Sequence, residues 1–260
     1  MYVVWSAVLL VLVLVALAVA VRLARRRTEY TFAQYVLWII ARLLTRWLWR
    51  AELPPQLPFS TGQGGVIVCN HRSSIDPFFV QSCARRPVHW MVAREFCEQR
   101  IFRWLARTCE VIPVNRGGID TQSTKAAIRL ASRGGLVGML PEGRINLTDQ
   151  LLLPVRPGAI LVALKARVPI LPCYIDGAPY AGSIWSPFLM SARTRLVMGE
   201  LMDLSAYYER TQEADVVPEL ARQVAREIAR LAGRPDFEPQ LAGRKWMPDR
   251  DGAGESTSQS

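Results

Sequence analysis

The chain has 260 residues, of which half are apolar and about a fifth are charged, and its formal net charge is +10. This composition excludes an intrinsically disordered chain and a multi-span channel. The length suits one α/β domain with an appendage, or two small domains. Arginine supplies 29 of the 32 basic residues. Such an excess suits phosphate binding, although a codon bias would have the same result.

The basic residues are concentrated near the amino terminus. Residues 22–50 contain seven arginines against the single acidic residue Glu29, whereas residues 201–260 contain eight basic and eleven acidic residues. The basic patch directly follows an apolar run, which favours contact with anionic lipid over contact with nucleic acid. We therefore expect membrane lipids, and no nucleic acid, among the partners.

The first 21 residues carry no charge. A helix of this length measures about 31 Å, enough to cross the hydrocarbon layer of a bilayer. The run is followed by Arg22, Arg25, Arg26 and Arg27, whereas a cleaved signal peptide carries its charges ahead of its apolar run. We expect residues 1–21 to be an uncleaved, single-pass transmembrane anchor. The positive-inside rule then places the rest of the chain on the cytoplasmic face.

Residues 22–53 are predicted to form a basic amphipathic helix that lies in or near the membrane interface. Arg42, Arg46 and Arg50 recur every four residues, and tryptophan and leucine supply apolar bulk between them. A second, short spanning helix and an ordinary core helix are the alternatives.

From residue 54 onward, short apolar runs alternate with helical stretches. This alternation predicts an α/β domain over residues 54–242, with a largely parallel sheet flanked by helices. Strands are predicted at Gly65–Cys69, Val88–Val92, Glu110–Pro113, Leu136–Leu140, Pro169–Ile175 and Thr194–Met198. Helices are predicted at Asp76–Ala84, Arg94–Ala106, Gly118–Ser132, Pro157–Ala166 and Ala214–Ala232. From residue 243 the chain turns polar, and we expect a disordered tail over residues 243–260.

The cysteines and one of the two histidines are predicted to be structural. The five cysteines are odd in number and lack C-x-x-C spacing, which favours small core residues in a reducing compartment. We expect Cys69 to be a buried strand residue rather than a nucleophile. His89 lies inside a strand pattern and is expected to be structural.

The segment NHRSSIDP, Asn70 to Pro77, carries the chemistry that the rest of the chain lacks. It directly follows a predicted strand, and sites in open α/β sheets lie beyond the carboxyl ends of strands. A turn between His71 and Asp76 can place the carboxylate on one ring nitrogen and leave the other nitrogen as a base. The alternative is that His71 caps the next helix, which Asp76 and Pro77 begin.

Three further segments follow or form predicted strands. VIPVNRGG, at residues 111–118, places Arg116 beside two glycines, which suits a phosphate. LPEGRIN, at residues 140–146, offers a carboxylate and another arginine in one turn. VPILPCY, at residues 168–174, is an apolar strand held between prolines. Each segment is a weak signal by itself.

In order and spacing, the four segments resemble the motifs of the glycerophospholipid acyltransferase family, in particular its 1-acylglycerol-3-phosphate acyltransferases. The motifs are N-H-x-S-x-x-D, I-P-V-x-R, P-E-G and V-P-I-x-P, and the resemblance covers about residues 66–200. It implies transfer of a fatty acyl group from acyl-CoA or acyl-carrier protein to the sn-2 hydroxyl of lysophosphatidic acid, which gives phosphatidic acid. It implies no metal or prosthetic group.

The resemblance also implies roles for individual residues. His71 is the expected general base that takes the proton of the acceptor hydroxyl, and Asp76 is its orienting partner. Arg116 would hold the acceptor phosphate, with Arg94 as a second contact. The other expected substrate-binding residues are Asn70, Glu142, Gly143 and Arg144.

Arg144 departs from the commonest form of the third motif, in which the arginine lies three residues after the glutamate rather than two. This places the identity of the acceptor in doubt more than the chemistry. The alternatives are acylation of a different lysophospholipid, transacylation or hydrolysis, and, from another class, a non-catalytic lipid-binding protein of the membrane surface.

Overall fold

The structure is a computed structural model that describes residues 5, 6, 10, 12, 15, 19, 21–115 and 120–243, with only the backbone of Ile101. Its six strands are β1 (Gly65–Cys69), β2 (Val88–Ala93), β3 (Ile112–Val114), β4 (Leu136–Met139), β5 (Ile170–Asp176) and β6 (Arg195–Met198). They form one sheet in the order β3-β2-β4-β1-β5-β6. The first five strands are parallel and β6 is antiparallel to β5. The predicted α/β class and largely parallel sheet are confirmed.

In the described part of the chain, residues 21–25 are helical and seven further helices follow. They are α1 (Phe32–Leu43), α2 (Asp76–Cys83), α3 (Arg94–Cys97), α4 (Arg100–Thr108), α5 (Thr121–Ser132), α6 (Gly158–Ala166) and α7 (Val216–Leu231). A π-helical turn, Leu44–Leu48, extends α1, and 3₁₀ turns occur at Ser186–Leu189 and Ser205–Arg210.

Two helix predictions need correction. The single helix expected over Arg94–Ala106 is two helices, because Gln99 is extended and its carbonyl starts a new turn by accepting the N–H groups of Phe102 and Arg103. The helix expected from Gly118 begins at Thr121, and the Asp120 carboxylate caps it by accepting the Ser123 N–H. Gly118 itself lies outside the described residues.

The core lies on both faces of the sheet, with β1 at its centre. Val66 and Val68 pack into a cluster with α5, α6 and α7, whereas Ile67 and Cys69 pack into a second cluster with α2. Successive residues of a strand point to opposite faces, so a strand that is apolar throughout must be covered on both. This explains why GVIVC is buried along its whole length.

The segment from α1 to Trp49 packs against the domain along one side. Gln34 completes a capping box with Thr31 and donates to the carbonyl of Thr108 at 2.9 Å. Trp49 is fully buried, and its indole N–H donates to the carbonyl of Pro187 at 2.9 Å. The helix predicted over residues 22–53 is therefore shorter and partly docked, while its location at a membrane interface stays a prediction.

Most of the predicted anchor, residues 1–21, lies outside the described residues, as does all of the predicted tail except Gly243. Among the helices that the structure describes, none has both the length and the apolar character required to span a bilayer.

Candidate active site

The first and third motifs, N-H-x-S-x-x-D and P-E-G, meet at the edge of the sheet where its parallel strands end, whereas the fourth motif begins at the amino end of β5. His71 lies two residues beyond β1, and Glu142 lies three residues beyond β4, the neighbour of β1. Arg94 begins α3 directly after β2. Because all these strands run in the same direction, their loops meet at a single edge.

His71 and Asp76 form the pair that the sequence predicts. His71 Nδ1 and Asp76 Oδ2 are 2.9 Å apart, and the same oxygen accepts the N–H groups of Arg72 and Ser73 at 2.7 and 2.9 Å. Asp76 is fully buried and also begins α2, with Pro77 as the second residue. The turn thus folds the carboxylate back onto the ring, and His71 does not cap the helix.

The second ring nitrogen of His71 is left as a base. Asp76 Oδ2 already accepts two backbone N–H groups, so the carboxylate is an acceptor and Nδ1 is the donor. Nε2 then carries a lone pair, and it has no hydrogen-bond partner within the part of the chain that the structure describes. The side chain is 13% exposed, so a substrate can reach it.

Glu142 holds the backbone of His71. Its Oε1 accepts the His71 N–H at 2.7 Å and its Oε2 accepts the Leu153 N–H at 2.8 Å, while the His71 carbonyl accepts the Asn146 N–H at 2.7 Å. Burial raises the pKa of Glu142 to about 7, and the two N–H bonds oppose this rise. Glu142 was expected to contact the acceptor, but both its oxygens are occupied and the residue is fully buried. It is a positioning residue.

Asn70 was also expected to contact substrate, but in the structure its side chain binds the backbone of β5 instead. Its amide donates to the carbonyl of Ile175 at 2.8 Å and accepts the Ile175 N–H at 2.7 Å. Strand pairing between β1 and β5 ends at Cys69 and Cys173. Without the Asn70 side chain, the N–H and the carbonyl of Ile175 would therefore lack hydrogen-bond partners. The fully buried Asn70 side chain joins the two strand ends beside His71.

Arg72 is a site residue that the sequence reasoning missed. Its guanidinium donates to the carbonyls of Asn146, Thr148 and Gln150 at 3.1, 2.7 and 2.7 Å. Three bonds from one planar group hold this loop against the His71 turn. The only signal in the sequence was that Arg72 lies between His71 and Asp76. That position does not indicate which backbone carbonyls the guanidinium binds.

The serines of the same motif fasten the opposite loop. Ser73 Oγ donates to the carbonyl of Pro179 at 2.5 Å, and Ser74 Oγ donates to the carbonyl of Ile184 at 3.0 Å. The NHRSSID segment therefore binds the loops after β4 and β5 on either side of His71.

Gly143 and Arg144 form the turn after β4. Gly143 has a φ of +71°, a left-handed conformation that side chains rarely adopt, and a Cβ there would lie 3.5 Å from the Arg156 guanidinium. Arg144 is half-buried in the same turn. The glycine thus shapes the turn, and the contact of either residue with a substrate stays a prediction.

Arg94 is the described candidate for phosphate binding. Its Nε donates to Asn115 Oδ1 at 2.8 Å, and its side chain is 40% exposed. Two strand spacings separate the ends of β2 and β1, so Arg94 starts about 10 Å from the His71 turn. A cavity of about 270 Å³ beside Arg94 is also lined by two arginines, Arg103 and Arg107, and by two glutamates, Glu98 and Glu110. Arg116, the other expected contact, lies outside the described residues.

The remaining candidates are structural. Cys69 is fully buried, and this burial raises the pKa of its thiol well above the ordinary value, so it is not a thiolate nucleophile. His89 is buried, and its Nδ1 is 3.0 Å from the carbonyl oxygen of Glu110. Both predictions are confirmed.

Comparisons with known proteins agree with this geometry. A sequence profile described as "Acyltransferase" matches residues 52–176. A 1-acyl-sn-glycerol-3-phosphate acyltransferase of Bacillus subtilis (strain 168) is 25% identical over 53% of this chain and 66% of its own length. One of Streptococcus pneumoniae (strain ATCC BAA-255 / R6) is 27% identical over 64% of this chain and 60% of its own length. The matches thus span less than two thirds of these relatives.

A solved structure shares the fold. The crystal structure of the 1-acyl-sn-glycerophosphate acyltransferase PlsC from Thermotoga maritima has a TM-score of 0.59 and 18% identity, covering 84% of this chain and 89% of that one. The His71–Asp76 pair, the ordered motifs and the sequence profile therefore agree: residues 52–176 match the acyltransferase family, and the chain resembles 1-acyl-sn-glycerol-3-phosphate acyltransferases.

Proposed function

We propose that the protein is an O-acyltransferase that moves a fatty acyl group from the thioester of acyl-CoA or acyl-carrier protein to the sn-2 hydroxyl of lysophosphatidic acid. The product is phosphatidic acid. The observation that carries the proposal is the His71–Asp76 pair, whose free Nε2 lies at the sheet edge beside the P-E-G turn of Glu142 and Gly143. The names of the sequence relatives support lysophosphatidic acid as the acceptor.

The chemistry needs a base and no protein nucleophile. The acceptor hydroxyl oxygen attacks the thioester carbonyl carbon while His71 Nε2 takes the hydroxyl proton. The tetrahedral intermediate then collapses, the C–S bond breaks, and the imidazolium returns its proton to the leaving thiolate. The Asp76 carboxylate stabilises the imidazolium and holds the ring in the required tautomer. Such base catalysis contributes about 10²–10⁴-fold to the rate.

The acceptor phosphate would lie on the β2–β3 side of the edge, held by Arg94 and by Arg116. The shifted position of Arg144 supports a second candidate, acylation of a lysophospholipid that carries a headgroup. A non-catalytic lipid-binding protein would not require the buried Asp76 to orient His71.

We also propose that residues 1–21 anchor the protein in the membrane as a single span, with the domain on the cytoplasmic face. The uncharged run and the four arginines that follow it support this topology. The acceptor lipid would then enter from the bilayer, and the donor would arrive from the cytoplasm.

The test is an acyl-transfer assay on the full chain in detergent mixed micelles. Labelled acyl-CoA and acyl-carrier protein serve as donors, and lysophosphatidic acid, glycerol 3-phosphate and headgroup-bearing lysophospholipids serve as acceptors. We expect transfer to lysophosphatidic acid that falls by about 10²–10⁴-fold in His71→Ala. His89→Gln, which alters the other histidine, is the matched control.

Undiminished transfer by His71→Ala would contradict the mechanism. Transfer only to another lysophospholipid would retain His71 and change the acceptor. Lipid binding without transfer to any acceptor would indicate the non-catalytic alternative.

A further inference from the structure

Three segments of the chain combine arginine with a lack of acidic residues. They are residues 30–51, which contain α1; residues 99–109, which contain α4; and residues 177–199, which contain the β5–β6 loop. Together they hold eight arginines and no aspartate or glutamate. We call them the three acid-free segments.

The same segments carry the exposed apolar side chains. In the described chain beyond residue 23, every large apolar side chain that is exposed lies in them, except Leu147. The members are Phe32, Val36, Ile40, Leu43, Trp47, Trp104, Trp185 and Leu189. Leu189 is 89% exposed. Apolar side chains concentrated on one part of a surface indicate an interaction site rather than random exposure.

The five members on α1 and its π-helical extension share one face. Their spacing of four, four, three and four residues follows the helical repeat, while Tyr35, Ala41 and Thr45 on the other side are buried against the domain. The exposed face is therefore the side that the domain does not cover.

Aromatic contacts connect the three acid-free segments. Trp49, which follows the π-helical turn, meets Phe188 of the β5–β6 loop edge-on, with ring centroids 5.8 Å apart. Trp185 of this loop stacks on Phe102 of α4 at 5.0 Å. Leu189 directly follows Phe188. The three segments thus contact one another, through the exposed ring of Trp185 for α4 and through the fully buried ring of Trp49 for the segment of α1.

This surface adjoins the candidate active site. Ser73 and Ser74 fasten the β5–β6 loop to the His71 turn through Pro179 and Ile184. Helix α4 follows β2, and β4 and β1 lie between β2 and β5 in the sheet. The contact between Phe102 and Trp185 therefore reaches across the edge on which His71 lies.

We infer that the β5–β6 loop and α4 form a second membrane contact beside α1, with Trp185 and Leu189 inserted among the lipids of an anionic bilayer. The arginines of the three segments complement anionic headgroups. Tryptophan favours the interfacial zone, and the Arg42 and Arg46 guanidinium groups lie 4.8 and 5.8 Å from the rings of Trp38 and Trp47. The inference rests on the proposed function, because a lipid acceptor would enter from this surface.

The first test measures where Leu189 lies in the full chain reconstituted into phosphatidylcholine–phosphatidylglycerol vesicles. A Leu189→Cys variant carries a fluorophore, in a Cys97→Ser, Cys109→Ser background that removes the half-buried thiols. Leu147→Cys is the matched control, because Leu147 is 71% exposed and lies outside the three acid-free segments. We expect the ratio of quenching by spin-labelled lipid to quenching by aqueous iodide to be at least about fivefold higher at position 189.

The second test measures transfer in two media. Leu189→Asp should lower the rate on vesicle-embedded acceptor by about tenfold, since it removes one buried leucine, and should leave the rate in mixed micelles unchanged. Leu147→Asp should retain both rates.

Equal iodide quenching at positions 189 and 147 would overturn the inference. Shielding of position 189 by added acyl-carrier protein alone would overturn it in favour of a protein-docking surface. Shielding that rises with protein concentration without lipid would overturn it in favour of contacts between copies. The quenching measurement does not depend on catalytic turnover. A wild-type protein that fails to acylate lysophosphatidic acid would therefore refute the proposed function, while the quenching ratio would still test the membrane contact.

Discussion

The two loops that flank His71 are held in different ways. The loop after β4 is held by the Glu142 carboxyl group, which accepts the His71 N–H, and by the charged Arg72 guanidinium, which binds three loop carbonyls. The loop after β5 is held by two serine hydroxyls and by aromatic contacts. Charge-assisted bonds are the stronger and more directional kind. The first loop is thus built to fix the position of the base, and the second to present an apolar surface beside it.

The largest expected effect tests the base itself. Asp76→Asn keeps the shape of the turn but removes the charge that stabilises the imidazolium and selects the tautomer. We expect kcat to fall by about 10²–10⁴-fold in vesicles and micelles alike. Asp149→Asn, a change at an exposed carboxylate in the loop after β4, should have no effect. A loss below tenfold would show that Asp76 does not orient the base.

The next effect is a pH dependence of stability that comes from Glu142. Burial raises its pKa in the folded protein to about 7 from 4.5, so the folded state holds this proton more tightly than the unfolded state. Its contribution to stability is therefore full below about pH 4.5 and is lost as the pH rises through about 7.

Denaturant unfolding of wild type and Glu142→Gln across this window isolates the effect. The difference in free energy of unfolding, wild type minus variant, should fall by about 3 kcal/mol between about pH 4.5 and pH 8. The exposed Glu200→Gln serves as the control. If this difference does not change with pH, the Glu142 carboxyl group ionises as readily in the folded protein as in the unfolded chain.

A smaller effect is expected at Arg72. Lysine keeps the charge but cannot present the planar fork that reaches three carbonyls, so Arg72→Lys should free the loop after β4. We expect kcat to fall by about tenfold in both media, together with faster proteolysis at residues 146–150. Arg129→Lys, on the exposed side of α5, is the control. An unchanged proteolysis rate would show that the loop is held without Arg72.

The smallest effect distinguishes the second loop from the first. Ser74→Ala removes the bond to Ile184, which precedes Trp185. We expect transfer on vesicles to fall by about threefold and transfer in micelles to fall less, because only the docking surface is loosened. Ser132→Ala, at an exposed position, is the control. An equal fall of the transfer rate in vesicles and in micelles would indicate that Ser74 supports catalysis itself rather than the docking surface.

Contacts between residues close together in the chain could be predicted from the sequence, whereas contacts between distant residues of the site could not. The His71–Asp76 pair was predictable because its members are five positions apart in the chain and a single turn joins them. The roles of Glu142 and Asn70 were not, because Glu142 is 71 positions from His71 in the chain, and Asn70 is 105 positions from Ile175. The motifs indicated that Glu142 and Asn70 matter for function. Only their hydrogen-bond partners in the structure show that both side chains bind backbone groups of other segments.

The break in the predicted helix over Arg94–Ala106 has a similar origin. Nothing in its composition forbids a continuous helix, since no proline or glycine lies within it. The turn at Gln99 separates α3 from α4, and Phe102 in the first turn of α4 stacks on Trp185, 83 positions along the chain.

The sequence by itself determined the strand–helix alternation, the full burial of β1 and the turn that pairs His71 with Asp76. These depend on apolar periodicity and on groups close together in the chain, which residue order specifies directly. The tertiary structure decided which side of α1 is covered, which backbone groups Glu142, Asn70 and Arg72 bind, and that the three distant acid-free segments contact one another. Those outcomes depend on strand order, because the sheet brings together groups that the chain keeps far apart.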